Sequence, residues 1–389
     1  MTDTNDTKRE DRAEDRPIVR GRRQFLAASA AVGSVSLAGC SGIFGDDDGD
    51  GDGDGDDPEP GLIGSGRAGR PAPGGTPIAE LPDLEGELTI YSGRNEFLVG
   101  TMMEFFDDAY ENFDPTVRYG GSTDLVNTII NEGSGTPADV FFSVNSGSLG
   151  ALADEDRTRT LSDDVLDTVR EEFRTDQWIG TSGRARSVPY NTDEYSEDEI
   201  PDDIMAFEDF DGDLGWAPSY GSCQAFVTAM RILEGEDRTR EWVETIVDNG
   251  ISAYPDEFAT SQAVADGEID AAFTNHYYIQ RVLDGSPDAS IATTFTEGDA
   301  GSIFNVAGAA VVDGTDSPEM AENFIRHLLS AEAQEFFAVE RFEYPLIPGV
   351  EPVGDLPTID ELDVPDIDLT ELSDLQPTID LMRDAGAQL

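Results

Sequence analysis

Two adjacent tyrosines, Tyr277 and Tyr278, follow Asn275 and His276 where a predicted strand (Asp270 to Phe273) gives way to a predicted helix (Asn275 to Leu283). Neighbouring side chains on a strand point to opposite faces. At a strand-to-helix junction both phenols can instead point into one cleft. A deprotonated phenol is a hard oxygen donor, matched to a hard cation such as Fe(III) and poorly matched to soft metals. Its free pKa near ~10 must be overcome by the cation's own charge. The plainer alternative for these four residues is two aromatics packing a core and a helix cap. Other chemistry is sparse. Of two histidines, His327 sits beside Arg326 in a predicted helix and reads as a surface residue. There is no Gly-x-Ser-x-Gly elbow, phosphate loop or zinc-type histidine pair. Carboxylates are so abundant that an acid pair carries no signal. Nothing sets a nucleophile against a base. The expectation is a binding protein and not an enzyme; a tethered hydrolase is the competing class.

The elements that would position such a site alternate in type. Leu88 to Tyr91 reads as a strand, and Val99, Met102, Met103, Phe106 and Tyr110 recur at helical spacing. Val117 to Tyr119 is a second strand, Leu125 to Ile130 marks a second helix stopped near Gly133, and Asp139 to Phe142 is a third strand. This β-α-β-α-β series predicts a parallel sheet with helices on its faces, and ligands gather beyond the carboxyl ends of such strands. Leu161 to Arg186 reads as less regular. A second series opens at Gly212 to Ala217. Helices follow over Ser222–Leu233, Arg238–Val247 and Ser261–Gly267, then the tyrosine junction and an apolar strand over Phe304–Val312. Helices over Pro318–Leu329, Ala331–Ala338 and Thr378–Ala385 end the chain. Two α/β series joined by crossing strands predict an α/β, periplasmic-binding-protein-like (type II) fold with two lobes and a cleft between them, closing by hinge motion.

Composition narrows the partners. There are 82 acidic residues against 24 basic ones, a formal net charge of -58. Such a surface repels nucleic acid and anionic membrane. Molar salt, with a Debye length of roughly 3 Å, would screen its self-repulsion, so the composition suits a halophilic setting. Cys40 and Cys223 are far apart and unlike in context; Cys223 reads as a small buried residue. Arg22-Arg23 precede Phe25-Leu26 and a short apolar run to Leu37, with the form of a twin-arginine export signal too short to span a bilayer. Leu37-Ala38-Gly39-Cys40 then reads as a lipoprotein cleavage box that frees Cys40 for lipidation. An alternating Asp/Gly run from Asp46 to Asp57 follows, extended by its own repulsion. The organisation expected is a signal peptide over 1–39, a tether over 40–84, a first lobe from 85–187 plus 308–345, and a second lobe with C-terminal tail from 188–307 plus 346–389.

From about Leu88 to Pro348 the chain resembles the ferric-ion-binding proteins of bacterial iron ABC importers. The matching pieces, in family order, are Thr89-Ile90-Tyr91-Ser92-Gly93, Thr136 to Phe141, Ser182 to Arg186, Ser261 to Glu268, Asn275-His276-Tyr277-Tyr278 and Glu343-Tyr344-Pro345-Leu346. The resemblance implies that Tyr277 and Tyr278 supply phenolates to Fe(III). The family's first-lobe histidine matches Asn95, beside Glu96, and its glutamate falls near Val144, beside Asn145; the chain departs from the pattern at both. Glu96 is the candidate replacement ligand, and His276 is expected to point away. A companion anion, phosphate or carbonate, is implied at Tyr220-Gly221-Ser222, where a helix N-terminus favours negative charge, with Asn275 as another contact. Tyr220 is alternatively a third phenolate. Arg184 and Arg186 are expected at the interlobe crossing, steadying the closed form or paired with acids. The implied partners are an ABC permease and ATPase, with the protein a monomer held at the outer membrane face by its lipid. Thiamine, polyamines and phosphonates travel on the same fold and remain alternative cargoes.

Overall fold

The computed structural model describes residues 70–389. The predicted export signal, Cys40 and the tether as far as residue 69 lie outside the described residues.

The first lobe starts with β1 (Gly86–Ser92), which buries Leu88 and Ile90. Helix α1 (Glu96–Ala109) follows, and Val99, Met102, Met103 and Phe106 form its buried stripe at the spacing a helix requires. Then come β2 (Phe113–Tyr119) and α2 (Ser122–Glu132), which Gly133 ends at a φ of 59°. The fully buried β3 (Val140–Ser143), α3 (Ser146–Asp154) and the short α4 (Asp163–Leu166) complete the series. Strands β2, β1 and β3 pair in parallel, as alternating β and α elements require.

The thirteen-residue β4 (Ile179–Asn191) is the crossing strand. The second lobe contains β5 (Leu214–Trp216), α5 (Gly221–Leu233), α6 (Glu236–Asp248), β6 (Ser252–Ala253), α7 (Glu257–Ala265), β7 (Ala271–Ala272), β8 (Thr274–Asn275), α8 (His276–Gly285) and β9 (Ile291–Thr294). The chain returns through β10 (Phe304–Val311), then α9 (Pro318–Leu328) and α10 (Ala331–Arg341), and ends with α11 (Gln376–Asp384). The amino-terminal half of β4, to Ala185, pairs with β10 in the first lobe; from Arg186 onward it pairs with β8, β9 and β7 in the second. Each lobe has its own core, one around Phe106, Phe141 and Phe337, the other around Trp216, Phe226, Trp242 and Phe273.

Several sequence expectations change. The stretch read as irregular contains the first part of β4, to Arg186, whose glycines and arginines hide the strand pattern. Those glycines are forced by close packing: a Cβ on Gly183 would sit 2.1 Å from Phe304 Cζ, and one on Gly180 would sit 2.7 Å from Leu346 Cδ1. The lobe crossings fall at Ala185/Arg186 and Ile303/Phe304, a few residues before the boundaries expected. Residues 70–84, read as the end of the tether, are packed: Ile78 and Leu84 are buried, and Arg70 bonds Glu335 and the carbonyls of Glu351 and Pro352. The tail does not belong to the second lobe throughout. Leu346, Ile347 and Val350 are buried in the first-lobe core, with Leu356, Ile359, Leu362 and Val364 packed against it, while Leu372, Leu381 and Met382 join the second. Apolar residues spread along a Pro- and Asp-rich segment bury themselves one at a time, leaving no period to read. His327 is buried, not on the surface: its Nδ1–H donates to the Asn323 carbonyl and Nε2 accepts from the Tyr110 hydroxyl at 2.7 Å. Arg326 reaches outward to Glu322, and adjacent helical positions face different ways.

Candidate functional site

Between the lobes lies a cleft of about 460 Å³. The second lobe lines it with Tyr220, Gly221, Ser222, Asn275, Tyr277, Tyr278 and Arg281. Tyr277 and Tyr278 occupy the first turn of α8, where the chain turns from β8 into the helix. Both phenols thereby face the cleft, with ring centroids 4.4 Å apart. Tyr220, the N-cap residue of α5, brings its hydroxyl within 2.7 Å of the Tyr278 hydroxyl. Asn275 Nδ2 donates to the Tyr277 hydroxyl at 3.2 Å. Arg281, one helical turn beyond Tyr277, lies over both rings, 5.0 Å from the centroid of Tyr277 and 5.4 Å from that of Tyr278.

Burial sets the charge state of these phenols. It raises the Tyr277 pKa, with the Glu257 carboxylate adding to the rise; Arg184 and the hydrogen bonds from Tyr278 and Asn275 oppose it. Burial, the neighbouring Tyr277 and Glu257 raise Tyr278 strongly. Without a cation both are neutral phenols at ordinary pH.

A buried network fixes this wall. Glu257 accepts from Arg186, from Ser222 Oγ at 2.6 Å and from the Asn275 backbone N–H at 3.0 Å. Arg186 also donates to the Phe273 carbonyl and lies over the Phe226 ring. Arg186 therefore sits on the crossing strand but is paired inside the second lobe, holding the starts of α5 and α8 together. Arg184, two residues earlier, lines the cleft and donates to the Val144 carbonyl of the first lobe at 2.6 Å. Cys223 is buried, and burial pushes its thiol up to about 12. His276 points away from the cleft: Nδ1 accepts from the Ala185 N–H and Nε2–H donates to the Phe342 carbonyl. Burial lowers its pKa to about 4, so it is neutral.

The first-lobe wall carries little charge. Asn95 and Asn145 both line the cleft, and each side chain caps a helix, accepting from the N–H of Leu98 and Ser148 respectively. Glu96, the expected replacement ligand, does not line the cleft. It is exposed on the first turn of α1, with its Cγ beside Gly100 and its charge acting on Tyr119. Capping by Asn95 fixes the start of the helix and turns the next residue outward. Glu343 is the only carboxylate among the lining residues, and Arg94 holds both its oxygens at 2.8 Å. Among the described residues no group of three His, Cys, Asp or Glu side chains is gathered for a metal. The candidate donors are phenols.

Four features escaped sequence reasoning. Arg281 was legible, since it stands four residues after Tyr277 on the same helix. Glu343 had a partial signal in the matching Glu343-Tyr344-Pro345-Leu346. Arg94 had none. The fourth is a wall of Leu369, Leu372 and Leu375, brought by the tail.

A family model described as bacterial extracellular solute-binding protein matches residues 101–361. The chain is 26% identical over 318 residues to an Fe(3+)-binding periplasmic protein of Serratia marcescens, covering 79% of this chain and 93% of that one. It is 27% identical over 309 residues to a major ferric iron-binding protein of Neisseria meningitidis, covering 77% and 93%. Among solved structures, iron-bound HitA from Pseudomonas aeruginosa superposes with a TM-score of 0.68 at 28% identity, over 77% of this chain and 99% of that one. A Trichodesmium protein in complex with iron and citrate gives 0.65 at 23% identity, over 78% and 100%, a likeness of fold.

Proposed function

This chain belongs to the bacterial extracellular solute-binding protein family, and from that premise we propose that it captures ferric iron between its lobes and delivers it to an ABC permease and its ATPase. The observation that carries this reading is the side-by-side placement of Tyr277 and Tyr278 in the cleft, with the Tyr220 hydroxyl beside them. The names of the Serratia and Neisseria relatives support it.

The chemistry follows from charge. Fe(III) displaces the phenolic protons of Tyr277 and Tyr278, and the hard oxygens become its ligands. Asn275 holds the Tyr277 hydroxyl and Tyr220 that of Tyr278, on a backbone that Glu257 fixes at Asn275, so little ordering is left to binding. The first-lobe wall offers neutral amides, and its one carboxylate, Glu343, is already held by Arg94. A companion anion therefore completes the coordination. It sits at the start of α5, where Gly221 and Ser222 border the cleft and the Tyr220 side chain makes no capping bond. Arg184 and Arg281 add positive charge to the cleft. Phosphate, carbonate or an organic anion meets these requirements.

The protein acts outside the cell, exported through the twin-arginine signal and anchored by lipid at Cys40. It works as a monomer in concentrated salt, as its charge favours. Native mass spectrometry of the full chain after exposure to Fe(III), Zn(II) or Ca(II), each with carbonate, tests the cargo. One ferric ion per chain, with no zinc or calcium retained, is expected. Retention of zinc or calcium in preference to iron would reject the reading.

A further inference from the structure

The family match ends at residue 361, yet the chain continues and enters the cleft. Beyond the match the tail is held by both lobes. Ser146 Oγ, at the start of α3, lies 3.1 Å from the Leu369 carbonyl and 3.1 Å from Asn305 Oδ1, and Asn305 itself lines the cleft. Thr370 packs so closely on α3 that a Cβ at Gly150 would sit 2.8 Å from its Cγ2. On the other side α11 docks on the second lobe: the Thr378 and Thr228 hydroxyls are 2.7 Å apart, and Leu381 and Met382 are buried. Residues 369–375 are thus stretched between two anchors, and Leu372 is buried in the second-lobe core. Leu369 and Leu375 are only half-buried, and both border the cleft.

Two leucines left part-exposed in a cleft that also presents cationic groups make a mixed wall. Arg184 and Arg281 form no ion pair with a carboxylate among the described residues, in a chain with 82 acids. Their charge is available to an anionic cargo. The cleft, about 460 Å³, would hold roughly fifteen waters at ~30 Å³ each. That exceeds the need of a bare ion with one small inorganic anion. Ferric phosphate would leave Leu369 and Leu375 facing hydrated oxygens, whereas a carbon skeleton would cover them.

We propose that the tail segment 369–375 is a specificity-determining wall, with Leu369 and Leu375 packing on the carbon skeleton of an organic polycarboxylate that carries the ferric ion. Arg184 and Arg281 take its carboxylates, and Tyr277 and Tyr278 take the iron. This rests on the ferric reading above and adds the class of chelator.

The test loads the full chain with Fe(III) in citrate or in phosphate and measures retention against graded competing chelator. The wild type is expected to hold iron at least about tenfold more tightly with citrate. Leu369→Ser combined with Leu375→Ser is expected to bring the two anions within about threefold, and Leu375→Ser alone to fall between. An unchanged thermal midpoint confirms that the variants fold. Equal affinity with both anions in the wild type, or an undiminished citrate preference in the folded double variant, overturns the proposal. Failure to retain iron with either anion is a different outcome: it overturns the ferric reading, and this one with it.

Discussion

The hydroxyls of Tyr220 and Tyr278 lie 2.7 Å apart, although 58 residues separate them in sequence. A contact this short between two phenols needs a proton between the oxygens. Burial and Glu257 keep Tyr278 protonated, and burial does the same for Tyr277. The raised pKa values mean that loading has to expel protons. Ferric loading in weakly buffered solution should release about two protons per iron near neutral pH. Affinity should rise with pH, by up to about tenfold per unit for each proton displaced. Loading without proton release would mean that the phenols are not ligands.

The Arg186–Glu257 pair is almost fully buried and holds the Ser222 hydroxyl and the Asn275 backbone N–H at the mouth of the cleft. Removing one partner strands a buried charge. Glu257→Gln is expected to cost about 3–5 kcal/mol in denaturant unfolding and to weaken iron retention as well. A loss below about 1 kcal/mol would show that the pair does not organise this wall.

His276 ties the hinge by linking Ala185 of β4 to Phe342 after α10. Its folded pKa of about 4 lies below the ordinary value of 6.5. Between those values the unfolded chain takes up a proton that the folded chain refuses, so stability falls as pH drops from 6.5 towards 4. The full effect is about 3 kcal/mol. Comparing unfolding of the iron-free wild type with that of His276→Gln across this range isolates it. Parallel curves would contradict the assignment.

Gly183 lies on the crossing strand against Phe304, with no room for a methyl group. Gly183→Ala should destabilise the fold by about 1–3 kcal/mol through overpacking, measured by thermal or denaturant unfolding. Full stability in this variant would show that Phe304 moves aside freely.

Much of this was legible from periodicity and turn chemistry. The first lobe's alternating elements emerged because α1 repeats its apolar residues at helical spacing and β3 opens on three consecutive apolar residues, Val140-Phe141-Phe142. The tyrosine junction was legible because a strand-to-helix turn is a local feature. The crossing strand was not, since its residues answer to packing on both sides and show no apolar period. Glu96 looked like a ligand by adjacency to Asn95, but a capped helix turns consecutive residues to different faces. Burial of His327 and the leucine wall of the tail depend on contacts across hundreds of residues, which no local pattern records.

The most direct measurement is the visible spectrum of the full chain in high salt, titrated with Fe(III) supplied as a weak chelate. Phenolate bound to ferric iron gives a charge-transfer band that colours the protein. The account predicts a band in the wild type, saturating at one iron per chain, that both Tyr277→Phe and Tyr278→Phe abolish or shift. No band in the wild type, or a band unchanged in both variants, would contradict it.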